Sequence, residues 1–284
     1  MKDLRLYQIF YNEDTHLQLD PGFIPLDNST NERPDWFEFW PIRSLLLNND
    51  FADNTWVGVF SPKFFQKTGM RSHEVASAVH QASTELVSFS PWFAHIALFK
   101  NIYVQGDNFH PGFMHVFKKC VTELGLDLRL LNQAMTAQQA IYSNYFVAPY
   151  RIWREWFELA DAIYGMAEDH SHPLSVSLNC ATVYGGQNTY PHKIFVLERV
   201  ISLLIQSKGI SVEYAADLHK GALGLGFKNS PTSIKALSWL DDIKRRYQIQ
   251  PSSSLIEEYE ALAKELMSLR DEVPEAAYDE TPLV

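Results

Sequence analysis

The sequence predicts an α/β layered fold, a central sheet flanked by helices, and three observations predict it. Short apolar runs of strand length alternate with amphipathic runs of helix length along most of the chain. Two of the strand-like runs end abruptly in Ser-Pro, at Ser61-Pro62 and Ser90-Pro91. With 284 residues of which 46% are hydrophobic, the chain can bury a large core.

The elements follow in order. Leu4 to Tyr11 reads as a buried opening strand ended by Asn12-Glu13-Asp14, and Pro21, Gly22, Pro25 and Pro34 mark a loop. Asp35 begins a helix with Trp36, Phe39, Trp40, Ile42 and Leu46 on one side, and Pro41 is expected to kink or shorten it. Thr55 to Phe60 is a second strand. Ser72 reads as the N-cap of a helix running to about Gln81. Glu85 to Phe89 is a third strand, Phe93 to Tyr103 a helix, and Pro111 opens another helix to Leu124. Leu128 to Leu131 reads as a short strand and Tyr142 to Ala148 as a better one. A strong amphipathic helix covers Ile152 to Met166, and Asp169 to Pro173 is a polar break. Lys193 to Ser207 is a helix ended by Gly209, and Ile210 to Tyr214 a late strand. Beyond Tyr214 only five aromatic residues remain, and Leu255, Tyr259, Leu262, Leu266 and Leu269 form a near-heptad stripe. Packing on its own domain is the plainer reading of that stripe, and a homodimer contact through Leu255–Leu269 the sharper one. The organisation expected is therefore 1–214 as the α/β domain, 215–270 as a helical C-terminal extension and 271–284 as an acidic mobile tail.

Composition narrows the function classes. The net charge is −10, from 24 Lys and Arg against 34 Asp and Glu. That balance argues against a general nucleic-acid binder. The last fourteen residues hold five of the acids and no Lys or Arg, so residues 1–270 carry only −5, which leaves room for a local cationic pocket. Two cysteines, Cys120 and Cys180, build neither a disulfide framework nor a four-Cys zinc site, and they suggest a reducing, cytoplasmic location. Met1 to Asn12 lacks an apolar leader core, and no run is long and apolar enough to span a bilayer, although docking on a membrane surface stays compatible.

Several clusters carry candidate chemistry. Ser61 and Lys63 follow a strand directly, where α/β sheets place ligands, and suit a phosphate; an ordinary Pro-containing turn is the alternative. Asn101, Gln105, Asp107 and His110 make a segment dense in planar donors and acceptors, the kind that reads hydroxyl-rich ligands; a polar interhelical loop is the alternative. Asn144 beside Tyr145 is polar for a strand. Glu198 and Arg199 interrupt an apolar helix, so they need partners or a cleft, as acid/base machinery or as a structural ion pair. The ten histidines form no H-x-x-x-H or H-E-x-x-H pair and the chain has no D-x-D, so no metal site is expected. Gly221 to Gly226 reads as a turn, not a phosphate loop.

The order YQIFYN, DWFEFWPIRSLL, VGVFSPKF, SNYFVAPYRIWREW, LERVISLLI resembles a family of bacterial glycosyltransferase-like proteins linked to capsule, O-antigen and other surface polysaccharides. The resemblance covers about Leu4 to Ile205. It implies a GT-A-like central mixed sheet flanked by helices and a nucleotide-sugar donor. Tyr7, Tyr11 and Asn12 would approach the nucleotide, with Ser61 and Lys63 near the diphosphate or donor sugar. Asn144 and Tyr145 would face the acceptor; Asn101, Gln105 and His110 are substrate-binding candidates on their side-chain chemistry alone. Glu198, with Arg199 beside it, would stand at the reacting centre as acid/base residue, and Asp107 is the second choice. The missing D-x-D departs from the usual GT-A pattern, so Lys63, Arg43, Arg199 or helix ends would have to stabilise the leaving diphosphate. The function implied is transfer of a sugar to a glycan or lipid-linked acceptor, in the cytoplasm or at the inner membrane face. The rival is a non-catalytic nucleotide- or sugar-binding protein on a degenerate transferase fold.

Overall fold

The computed structural model describes residues 2–184 and 188–268. The strands are β1 (Leu4–Phe10), β2 (Ile24–Asp27), β3 (Trp56–Phe60), β4 (Leu86–Ser88), β5 (Phe146–Pro149), β6 (Ala181–Tyr184), β7 (Asn188–Pro191) and β8 (Val212–Tyr214). The helices of the first half are α1 (Glu13–Leu17), α2 (Phe39–Asn48), α3 (Phe64–Thr68), α4 (Ser72–Gln81), α5 (Phe93–Leu98), α6 (Ile102–Phe109) and α7 (Phe113–Glu123). Those of the second half are α8 (Tyr150–Glu168), α9 (Ser175–Asn179), α10 (His192–Glu198), α11 (Val200–Lys208), α12 (Pro231–Ile249) and α13 (Ser253–Ser268).

Six strands form one mixed sheet in the order β2-β1-β3-β5-β4-β8. β5 runs antiparallel to both neighbours, and every other pairing is parallel. A parallel sheet must be covered on both faces, and here it is. One face packs Ile9, Val57, Val59, Phe146 and Ala148 against α2, α8 and α11. The other packs Leu6, Phe60, Val87 and Val147 against Phe64, Val75 and Val79 of α3 and α4. β6 and β7 pair as a separate hairpin.

Where the local structure departs from the sequence reading, a specific interaction explains it. β2 contains Pro25, whose missing N–H an edge strand tolerates. Pro41 lies in the first turn of α2, where no intrahelical donor is lost, so the helix continues to Asn48. The N-cap of α4 is Arg71 rather than Ser72, and the Glu74 carboxylate accepts the Arg71 N–H at 2.8 Å. The helix expected over Phe93–Tyr103 is broken because Asn101 caps α6, its Oδ1 accepting the N–H groups of Tyr103 and Val104. Gly112, at φ +90°, stands as the cap of α7, and Pro111 lies outside it. Leu128–Asn132 is a 3₁₀ turn instead of a strand. The helix expected over Lys193–Ser207 is two helices that meet at Arg199, and Gly209, at φ +66°, ends the second.

α12 and α13 pack on α5 and share its core through Leu237, Leu240, Ile243 and Tyr259. The fully buried Lys244 donates to the carbonyls of Ile96 and Phe99. Leu255, Leu262 and Leu266 lie partly buried against the chain's own core, while Leu269 and the acidic 271–284 segment lie outside the described residues. Among the described residues no helix is long and apolar enough to cross a membrane.

Candidate functional site

β1 is flanked by β2 on one side and β3 on the other, so the sheet has a topological switch point at its carboxyl-end edge. Tyr11 follows β1 and Ser61 follows β3 there. Because β5 is antiparallel, its amino end, led by Ser143 and Asn144, opens on the same edge. A cleft of about 910 Å³, counted to its open mouth, occupies this place. Its walls include Tyr11, Trp36, Phe37, Glu38, Ser61, Lys63, Lys67, Ser143, Asn144, Tyr190 and Glu198.

The cleft is built on strained backbone. Phe37 (φ +47°, ψ −135°), Ser143 (φ +59°) and Asn144 (φ +52°) all carry positive φ without being glycine. Each such residue costs of order 1–3 kcal/mol and persists only where its surroundings enforce it. Here the enforcing groups are visible. The Ser143 N–H donates to Glu198 Oε1 at 2.9 Å, and Lys67 Nζ donates to Ser143 Oγ at 3.2 Å. Phe37 packs edge-on against Tyr190. Asn144 Oδ1 is buried and accepts no hydrogen bond among the described residues. This turn is why the strand expected from Tyr142 starts only at Phe146.

Glu198 sits at the C-terminal end of α10. Its other oxygen, Oε2, accepts Arg199 Nη1 at 3.0 Å. Arg199 is 1% exposed and does not reach the cleft. Its guanidinium also donates to the carbonyls of Ile102 and Phe195 and to Gln105 Oε1. The Gln105 amide then meets His95 Nδ1 at 3.2 Å. Burial, with Arg199 adding to it, pushes His95 down to about 3, so the ring is neutral and accepts at Nδ1. Glu198 is thus held through a buried chain of polar groups that ends at His95.

The sequence candidates therefore divide. Tyr11, Ser61, Lys63, Asn144 and Glu198 come together in the cleft. Tyr145 is buried behind Ser61 and shares a short hydrogen bond with its hydroxyl. Burial raises the Tyr145 phenol and pushes that of Tyr11 well above its ordinary value, Glu38 adding to the second. Tyr7 lies mid-strand against Phe51, and Asn12 caps α1. Asn101 caps α6 and donates to the carbonyls of Leu131 and Gln133. Asp107 accepts the Met114 N–H at the start of α7. His110 stacks on Phe195 at 3.5 Å and bonds the Val183 carbonyl; burial pushes it down to about 3. None of Tyr7, Asn12, Asn101, Gln105, Asp107 and His110 lines the cleft.

The sequence reading missed Phe37, Glu38, Lys67, Ser143 and Tyr190 as cleft residues. Lys67 had a signal: it lies four residues after Lys63, so a helix starting there puts both on one side. Tyr190 sits in a hairpin with no clear pattern.

A group of charges braces the wall. Arg33 bonds both Asp35 and Glu168, the 3% exposed Lys193 reaches Asp35 at 2.7 Å, and Trp36 Nε1 donates to Glu168. Burial alone would raise Asp35, but the hydrogen bonds from Arg33 and Lys193 outweigh it and hold the carboxyl at about 2. Among the described residues, no three His, Cys, Asp or Glu side chains gather. Compared with protein-family models, curated proteins and solved structures, the chain matches none of them.

Proposed function

We propose that the protein is a glycosyltransferase that moves a sugar from a nucleotide-sugar donor to a glycan or lipid-linked acceptor in surface-polysaccharide synthesis. The observation that carries this reading is the cleft at the switch point. It gathers aromatic walls, two lysines and two carboxylates, Glu38 and Glu198, from five separate segments. Aromatic faces suit sugar or base rings, lysines suit a diphosphate, and a fixed carboxylate suits a hydroxyl proton. The mixed sheet with helices on both faces supports the coarse part of the GT-A-like reading.

In this reaction the acceptor oxygen forms a bond to the anomeric carbon as that carbon's bond to the diphosphate breaks. The diphosphate leaves with the electron pair, and Lys63 and Lys67 lie where they lower its charge cost. The acceptor proton passes to Glu198. Each of its oxygens already accepts one internal hydrogen bond and keeps a second lone pair. Arg199, Gln105 and His95 act as positioning residues.

The test is calorimetric titration with uridine, guanosine and cytidine diphosphates, together with a hydrolysis and transfer assay over a panel of nucleotide sugars. One diphosphate binds, its sugar derivative is turned over, and Lys63→Ala weakens both. Absence of binding and turnover across the panel overturns the proposal. The internal hydrogen bonds on both Glu198 oxygens favour one rival, a non-catalytic nucleotide- or sugar-binding protein. Binding without turnover would select it.

A further inference from the structure

We propose that a second cleft, on the far side of the Pro62–Lys63 turn, binds the anionic part of a saccharide acceptor. Calling the ligand an acceptor rests on the transferase reading; its chemistry rests on the residues of this cleft alone.

The second cleft is also about 910 Å³ to its open mouth, and Pro62 and Lys63 line both. A ligand longer than one sugar can therefore lie across the turn and occupy the two together. The new cleft adds Gln18, Asp20, Phe65, Gln66 and Arg71. Asp20 is its carboxylate among the described residues, and that group is turned inward. Oδ1 accepts the Gly22 N–H at 3.0 Å and the Ser72 hydroxyl at 2.5 Å, and Oδ2 accepts the Ser72 N–H at 3.0 Å. Two cations, Lys63 and Arg71, thus line a cleft with one carboxylate, Asp20, which is hydrogen-bonded to backbone and hydroxyl donors and also feels the charge of Arg71, so the lining carries more positive than negative charge.

Arg71 is prepared for an oxyanion. Its guanidinium lies 3.6 Å over the Phe65 ring, with no ion pair among the described residues. A guanidinium stacked on a ring keeps its N–H fork available at the edge of its plane. A planar fork pairs a carboxylate or phosphate through two parallel bonds. Phe65 is 44% exposed, an unusual amount for phenylalanine, and offers an apolar face to a sugar ring. Gln18 and Gln66, both exposed, add amide donors and acceptors of the kind that bind hydroxyls. Oxyanion fork, ring platform and amides together describe an acidic saccharide.

The experiment is calorimetric titration of the full chain with three kinds of probe. These are an oligomer of galacturonic acid, the same oligomer with its carboxyls methyl-esterified, and the three nucleoside diphosphates. The acidic oligomer binds, and esterification or Arg71→Gln each weakens it about tenfold, the loss of one charge-assisted contact. Phe65→Ala weakens the acidic oligomer too, and Arg71→Gln leaves any diphosphate binding unchanged. Both side chains are exposed, and melting curves check that the variants stay folded. Equal affinity for acid and ester, no binding of the acid, or an Arg71→Gln variant that loses diphosphate binding instead, each overturns the proposal. If the oligomer binds through Arg71 while no nucleotide binds, the transferase reading fails and the second cleft stands. If nucleotides bind and turn over while the oligomer does not bind, the reverse holds.

Discussion

Replacing Glu198 by Gln changes one charge and almost no volume, and its effect can be worked from the contacts. Gln keeps an oxygen to accept the Ser143 N–H, so the left-handed turn survives. What disappears is the counter-charge of Arg199, a guanidinium 1% exposed whose remaining partners, Ile102 O, Phe195 O and Gln105 Oε1, are all neutral. Removing one partner of a buried pair costs about 3–5 kcal/mol. The Glu198 side chain is 27% exposed, so water already screens part of the interaction. We expect about 2 kcal/mol, a fall in Tm of roughly 4–6 °C for a chain of this size. Glu198→Ala loses the Ser143 acceptor as well, for about 1–2 kcal/mol more. Urea unfolding of both variants measures the two quantities separately. A Gln variant within about 0.5 kcal/mol of the parent, or an Ala variant no worse than Gln, refutes the ion-pair and turn-clamp account.

Acid should loosen the cleft wall. The folded-state pKa of Asp35 is depressed to about 2, against about 3.9 unfolded, so its contribution is complete above the unfolded value and is lost as pH falls from about 4 to about 2. Tm measured across that range falls more steeply for the parent than for Asp35→Asn. At the sheet centre, a Cβ added at Gly58 would lie 2.7 Å from Val147 Cγ2 and 3.2 Å from Leu6 Cδ2, so Gly58→Ala costs about 1–3 kcal/mol by overpacking. Urea unfolding reads that loss, and an unchanged midpoint contradicts the packing described.

The strands and the cleft were legible in the sequence to different degrees. TWVGVF reads as a strand because every residue of β3 is buried, and the Ser-Pro after it marks the edge where Ser61 and Lys63 stand. Glu198 and Arg199 stood out because charge in an apolar helix demands a partner, but the sequence does not say which of the two faces the cleft. That follows from the helix break, which turns Arg199 into the core and leaves Glu198 at the end of α10. Asn101, Gln105 and His110 have the composition of a sugar-reading loop, yet their polar atoms are taken up by a cap, a buried guanidinium and a hairpin carbonyl. Composition cannot distinguish a side chain that satisfies its own fold from one left for a ligand. The left-handed turn at Ser143 and Asn144 has no local signal either, since its enforcing partners lie far away in sequence.

The reversed direction of β5 also shapes how the chain must assemble. β1, β2 and β3 pair among themselves within the first sixty residues. Among the described residues β5 bridges that group to β4 and β8, and it pairs Trp56 with Pro149. Such distant pairings carry a large loop-closure cost and form slowly. Three helices, α5, α6 and α7, lie in the stretch of chain between β4 and β5. The cleft lies across this seam, with Tyr11 and Ser61 on the early side and Ser143 and Asn144 on the late one. A chain released before β5 docks would therefore carry a formed half-sheet with β3 as an open edge, the surface on which two such chains could pair wrongly.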